Sequence, residues 1–127
     1  MTPQEMKDRT REFALRVIRA TQSLPKGQPA YVLGEQLLRS ATSVGANYRA
    51  ACRARSKAEF PAKLGIVEEE TDESIYWMEL LVSAGIVQKH RIDKLSQEAD
   101  EIPSIIIASI STARKTTSEK VGSGRDE

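Results

Sequence analysis

The chain has 127 residues, with nineteen Lys and Arg against eighteen Asp and Glu, and its formal net charge is +1. This length corresponds to one domain, and a hydrophobic content of 39% supports a packed core, which excludes a wholly disordered chain. One cysteine and one histidine exclude an internal disulfide, a zinc site built from cysteines and a metal centre with two histidines. No apolar run approaches the ~20 residues of a membrane span, and the N-terminus lacks the apolar core of a signal peptide. We therefore expect a cytoplasmic protein with no membrane partner.

The first predicted helix begins at a capping box. Thr2 suits the N-cap, Pro3 the first helical position and Glu5 the position that closes the box. The apolar face that follows repeats at spacings of three and four residues, and it comprises Met6, Thr10, Phe13, Val17, Ala20 and Leu24. Residues 24–29 contain two prolines and a glycine, which end the helix.

Two further amphipathic helices follow. The second has a face of mostly narrow side chains, which are Leu33, Leu37, Ala41, Val44, Tyr48 and Ala51. The third begins at another capping box, Ser56 with Glu59, and its face comprises Phe60, Leu64, Val67, Thr71, Ile75, Met78 and Val82. Gly45 and Gly65 each cost roughly 1 kcal/mol relative to alanine inside a helix, so we interpret both as positions of close helix contact.

The fourth predicted helix carries one apolar face, which comprises Leu95, Ala99, Ile102, Ile106, Ile110 and Ala113. Pro103 lies inside this helix and is expected to kink it, because proline cannot donate to the carbonyl of Ala99. Residues 116–127 show no periodicity, which predicts a flexible C-terminal tail after a domain of residues 1–115. No segment requires a strand, so we predict an all-α fold, an antiparallel up-down-up-down four-helix bundle.

No residue pattern in the chain predicts catalysis. Residues 68–73 hold five carboxylates, which we interpret as a solvated helix face rather than a di-iron site, because His90 is not part of a Glu-x-x-His pair. Cys52 follows the core position Ala51 and is interpreted as a buried structural thiol, since the only histidine lies at the opposite end of the bundle. We predict no catalytic residue, no metal site, no cofactor and no small-molecule substrate.

The near-neutral total charge hides a strong asymmetry, since residues 1–57 carry +7 and residues 58–105 carry −7. Antiparallel helices would place Arg49, Arg53, Arg55 and Lys57 together beside the second turn; we call these four residues the basic end. Further cations are expected there, namely Lys7, Arg9, Arg11, Lys63, Arg114 and Lys115. The acidic run starts roughly 16 Å up the third helix, at the level of Arg39, and the screening length is only ~8 Å. Three interpretations remain open: the basic end binds phosphate backbones, meets the acidic run of a neighbouring subunit, or is an ordinary solvated surface.

The third and fourth helices carry more apolar surface than one bundle core needs. The surplus positions are Ile66, Tyr76, Trp77, Ile105 and Ile107. Aromatic and apolar surplus of this kind is typical of interface cores, so we predict self-association through these five residues.

A set of residues between positions 36 and 81 forms a specific pattern. It consists of Gln36, Leu37, Arg39, Ser40, Ala41, Ser43, Val44, Asn47, Arg53, Ala54, Arg55, Ser56, Glu59, Phe60, Leu64, Glu68, Glu69, Glu70, Asp72, Glu73, Ser74, Glu79, Leu80 and Leu81. With this pattern the chain resembles the four-helix-bundle proteins known from intervening sequences in bacterial large-subunit ribosomal RNA genes, and weaker similarity extends over residues 9–115. The resemblance implies an up-and-down bundle that commonly assembles as a homopentamer. It also implies kinship with the accessory variability proteins of diversity-generating retroelements, which are basic pentamers that bind nucleic acid and a reverse transcriptase.

Two functional hypotheses follow from these observations. The first is a non-enzymatic, self-assembling helical bundle of the intervening-sequence type that acts as a scaffold or interaction module. The alternative is an accessory protein that binds RNA or DNA through the basic end.

Overall fold

Four α-helices make up the fold: α1 (Pro3–Gln22), α2 (Gln28–Cys52), α3 (Glu59–Ser83) and α4 (Lys89–Arg125). The structure, a computed structural model, describes the backbone of residues 1–125 and the side chains of residues 1–110. Within these residues no strand occurs, and the predicted all-α fold is confirmed. The helix α4 continues beyond residue 115. The domain limit at residue 115 and the flexible tail of residues 116–127 stay predictions, because the side chains there lie outside the described part.

The hydroxyl half of each predicted capping box forms, and the reciprocal bond from the carboxylate to the N-cap N–H does not. The Thr2 Oγ1 accepts a hydrogen bond from the Glu5 backbone N–H at 3.1 Å and donates one to the Glu5 carboxylate at 3.1 Å. Before α3, the Ser56 Oγ accepts from the Glu59 N–H at 3.1 Å, and the Glu59 carboxylate accepts from the Arg55 N–H at 3.2 Å. The predicted start of α3 at Ser56 is wrong, because the N-cap is Ala58, which provides no side-chain cap. Each hydroxyl still satisfies one backbone donor that has no partner within the helix. The helix α2 has no such side-chain cap and follows Gly27, whose φ of 146° favours glycine.

Residue pairs between the helices define their arrangement. Thr10 of α1 lies against Gly45 of α2, whereas Leu24 at the other end of α1 lies against Gly34, so α1 and α2 run in opposite directions. The other contacting pairs are α2 with α3, α3 with α4, and α1 with α4. The four helices therefore occupy the corners of a square in chain order, and the α1/α2 side lies opposite the α3/α4 side.

The core lies along the axis of this square. Its buried hydrophobic members are Met6, Phe13, Val17, Leu37, Ala41, Val44, Tyr48, Val67, Met78, Leu81, Ile92, Leu95, Ala99, Ile102 and Ile106. Most of these residues occupy the predicted helix faces, because a spacing of three and four residues directs side chains to one side of a helix. Leu33, Leu64, Ile75 and Val82 also belong to the predicted faces and pack against the core while remaining half-buried.

A pair of serines interrupts the apolar seam between α2 and α3. Ser40 and Ser74 are both fully buried, and their hydroxyl oxygens are hydrogen-bonded at 2.9 Å. Each hydroxyl also lies within hydrogen-bond distance of a carbonyl of its own helix, that of Leu37 at 3.2 Å and that of Glu70 at 2.8 Å. Both buried hydroxyls are therefore satisfied.

The two interior glycines differ, although the sequence predicts close contact at both. A Cβ added at Gly45 would lie 3.2 Å from the Thr10 Oγ1, which confirms close approach of α1 and α2 there. A Cβ added at Gly65 would meet nothing within 4 Å, so the prediction for that position is wrong. Gly65 borders an open groove between α3 and α4 instead, where no neighbouring helix closes over it.

Candidate functional site

The four residues of the basic end surround the α2–α3 turn, and all four are exposed. Arg49 belongs to the last turn of α2, Arg53 is its C-cap, and Arg55 and Lys57 lie in the turn itself. None of the four forms an ion pair with a carboxylate among the side chains of residues 1–110. The structure thus brings these predicted site residues together as a set of cations without local partners.

The basic end opens onto two separate concavities. Arg55 and Lys57 line an open cavity of about 810 Å³ at the end of the bundle, together with Lys7 of α1. Arg49 lines a groove of about 460 Å³ between α1 and α2, together with Lys7, Arg11 and one carboxylate, Asp8. We call the second concavity the basic groove. Lys7 borders both, so the cationic surface runs from the turn onto the α1/α2 side.

The floor of the end cavity is apolar and includes Tyr48. Burial, and next the adjacent Cys52 thiol, raises the pKa of Tyr48 to about 12. Cys52 itself is exposed, so its interpretation as a buried thiol is wrong. It is the last residue of α2, and the chain turns away directly after it, so the core does not enclose the thiol.

Arg9 does not join the basic end as a free cation. Its guanidinium contacts Glu98 of α4 at 2.5 Å and Glu101 at 3.0 Å, while Arg16 lies 4.0 Å from Glu98. The hydrogen bond with Glu98 raises the pKa of Arg9, against the opposing effect of its partial burial. Arg9 is therefore a clamp between α1 and α4. Lys63 is half-buried, and the side chains of Arg114 and Lys115 lie outside the described residues.

The acidic run divides between two sides of α3. Glu70 and Glu73 turn toward α2, where both form ion pairs with Arg39. This agrees with the prediction that the acidic run lies beside Arg39 along the bundle. Burial, and next the charge of Glu73, raises the pKa of Glu70, while the Arg39 guanidinium opposes this shift.

The opposite side of α3 faces α4 across a groove of about 620 Å³. Its charged lining consists of Glu68, Glu69, Asp72 and Asp100, all exposed, and we call it the acidic groove. These four residues have no cationic partner among the described side chains.

The five predicted interface residues differ in exposure. Tyr76 is 51% exposed and Ile107 is 56% exposed, whereas Ile66, Trp77 and Ile105 are half-buried. Trp77 and Ile105 pack against the core. Part of the apolar surface that the sequence predicts for an interface is therefore buried within the bundle. The rings of Tyr76 and Trp77 meet edge to face at 5.1 Å between centroids. The Trp77 Nε1 is buried without an acceptor among the described residues.

Two kinds of feature are absent from the described residues. No group of three or more His, Cys, Asp or Glu side chains in this part of the chain is arranged to hold a metal ion. Over the same residues, none of the helices combines the length and the apolar content that crossing a bilayer requires.

Comparisons with known proteins agree with the fold. The family model for the 23S rRNA-intervening sequence protein matches residues 3–108. A crystal structure of a protein with unknown function, from the S23 ribosomal protein family of Bacteroides thetaiotaomicron, is 35% identical, and the TM-score is 0.79. The match covers 87% of this chain and 99% of that one. No curated protein matches the chain. Since the family model spans most of the chain and the folds agree, the chain belongs to the 23S rRNA-intervening sequence protein family.

Proposed function

We propose that the protein is a non-enzymatic, self-assembling helical bundle of the cytoplasm that acts as a scaffold or interaction module. The observation that carries the proposal is the exposure of Tyr76 and Ile107, two large side chains outside the core on the helices where the sequence predicts an interface. Exposed apolar surface beside polar residues is typical of protein contact sites. The resemblance described above adds the expectation of a homopentamer.

Sedimentation velocity at micromolar protein concentration tests the assembly. We expect a species larger than a monomer, and a Tyr76→Glu variant that shifts toward the monomer because a carboxylate replaces apolar contact area. Tyr31→Glu is the matched control, since Tyr31 is also exposed but lies on α2, outside the predicted interface. A wild-type monomer would contradict the proposal, and equal effects of the two variants would contradict the role of Tyr76.

A second candidate function is binding of RNA or DNA, favoured by the four unpaired cations of the basic end. Lys7 and Arg11 extend the cationic surface along the basic groove. Cations that contact phosphates release counterions, so affinity would fall steeply with salt. Phosphate contacts alone carry no base information, so this surface would bind mixed sequences alike.

Filter binding to mixed RNA over a salt series separates this candidate from the first. We expect Arg49→Glu with Arg53→Glu to reduce the slope of log affinity against log salt by about two or more. Arg91→Glu with Lys94→Glu is the matched control, since these cations are exposed near the start of α4, at the other end of the bundle. Undetectable binding at low salt, or equal slopes for wild type and the Arg49 and Arg53 variant, would exclude the candidate.

A further inference from the structure

Two grooves of opposite charge lie on opposite sides of the bundle. The basic groove, on the α1/α2 side, holds Lys7, Arg11 and Arg49 against one carboxylate, Asp8. The Asp8 carboxylate accepts a hydrogen bond from the Gln4 side chain at 3.0 Å rather than pairing with a cation. The acidic groove, on the α3/α4 side, holds four carboxylates, and no Lys or Arg is among its described lining residues.

Several acidic residues outside the acidic groove are paired within the chain. The acidic residues that turn toward α2 or α1 already have cationic partners, namely Arg39, Arg9 and Arg16. Among the described residues, the charges of the two grooves form no ion pair within the chain. Each groove therefore offers unpaired charge to a partner.

The two grooves overlap in height along the bundle. Arg9 of α1 contacts Glu98 and Glu101 of α4, so the stretch of α1 that lines the basic groove lies beside residues 98–101. The acidic groove spans residues 99–107 of α4, which begin at that level.

The side chains that line the two grooves also differ in size. Ile107 borders the acidic groove and is 56% exposed, so it projects from the α3/α4 side. The basic groove is lined by small residues, including Ala14, Gly45 and Ala46, which leave room for an entering side chain.

We infer that the partner of each groove is a second copy of this chain: the acidic groove of one copy docks onto the basic groove of the next. Because the grooves overlap in height, neighbouring copies can be related by an axis parallel to the helices. Because the two contact surfaces differ, the interface is heterologous, and repetition of it forms a ring or an open filament. The inference rests on the proposed self-assembly and names the surfaces that carry it.

Charge reversal in each groove tests the pairing. The basic-groove variant is Arg11→Glu with Arg49→Glu, and the acidic-groove variant is Glu69→Lys with Asp72→Lys. A fourfold variant combines all these changes and exchanges the two charges, so that complementarity returns. Control variants change exposed charges outside both grooves, Lys94→Glu and Glu35→Lys. Sedimentation velocity gives the assembly state, and circular dichroism verifies that every variant is folded.

We expect each groove variant to raise the dissociation constant of the assembly by more than about tenfold, because like charges then face each other. The fourfold variant should recover the wild-type assembly, the controls should match wild type, and high salt should weaken all assembled forms. Groove variants that assemble like wild type, or a folded fourfold variant that stays dissociated, would overturn the pairing while leaving self-assembly intact. A wild-type monomer at all concentrations would instead overturn the proposed function itself.

Discussion

Alanine substitution at the two interior glycines should shift stability in opposite directions. Gly65→Ala adds a methyl group where nothing lies within 4 Å, so it should stabilise the fold by about 0.5–1 kcal/mol through the lower chain entropy of alanine. Gly45→Ala places the new Cβ 3.2 Å from the Thr10 Oγ1. Thr10 is fully buried and its hydroxyl is bonded to the carbonyl of Met6 at 3.0 Å, so it has little room to yield. Overpacking of this kind costs ~1–3 kcal/mol, which exceeds the gain in helix propensity and makes the variant destabilised by about 1 kcal/mol.

Urea unfolding followed by the fluorescence of the single tryptophan measures both effects. Unfolding is recorded at several protein concentrations, because Gly65 borders the acidic groove and could alter assembly as well as folding. A Thr10→Ala background provides the critical comparison. With the hydroxyl removed, Gly45→Ala should become stabilising, like Gly65→Ala. The reasoning is refuted if Gly45→Ala stabilises the otherwise wild-type chain, or if the Thr10 background leaves its effect unchanged.

Three further outcomes follow from the ionic and buried polar groups. Arg9→Gln should destabilise the fold by about 1–2 kcal/mol in urea unfolding, because it leaves the half-buried Glu98 with only the more distant Arg16, whereas Arg19→Gln, in an exposed pair, should cost under ~0.5 kcal/mol. The raised pKa of Glu70 means that the folded state holds the proton more tightly, so this contribution to stability is present below the ordinary value of 4.5 and is lost as the pH rises through the folded pKa. Glu70→Gln should therefore gain stability relative to wild type as the pH rises above 4.5, and a difference in urea midpoint that stays constant with pH would contradict this sign. The Tyr48 phenol should stay protonated at pH 10.0, which is the ordinary pKa of tyrosine. In an alkaline titration followed by tyrosine absorbance, Tyr48→Phe should therefore remove only the change that occurs at about pH 12.

Local and periodic features of this fold could be predicted from the sequence. The hydroxyl-to-backbone hydrogen bonds at Thr2 and Ser56 join residues three positions apart, and the core faces depend on helical spacing alone. The level of Arg39 against the acidic run could also be predicted, because a short turn fixes the alignment of two consecutive antiparallel helices.

Contacts between distant segments could not be predicted in this way. Glu5, four residues before Arg9, could serve as its local partner, yet Arg9 binds Glu98, 89 residues away. The contact between α1 and α4 depends on the packing of all four helices, which local spacing does not determine. Surplus apolar residues are similarly ambiguous. Trp77 and Ile105 widen the core, while Ile107 remains on the surface, and helical spacing does not distinguish the two outcomes. Gly65 shows the same limit, since a glycine pattern does not reveal whether a neighbour is present.

The buried hydroxyl pair of Ser40 and Ser74 has a consequence for how α2 and α3 can slide past each other. A displacement of α3 by one turn, ~5.4 Å, would break the hydrogen bond between the two hydroxyls, and each would keep only its bond to a carbonyl of its own helix. The same displacement would separate Arg39 from both of its glutamates. Hydrophobic contact alone would tolerate several alignments of α2 and α3. The polar contacts favour one of these alignments, and they therefore fix the position of α3 along α2.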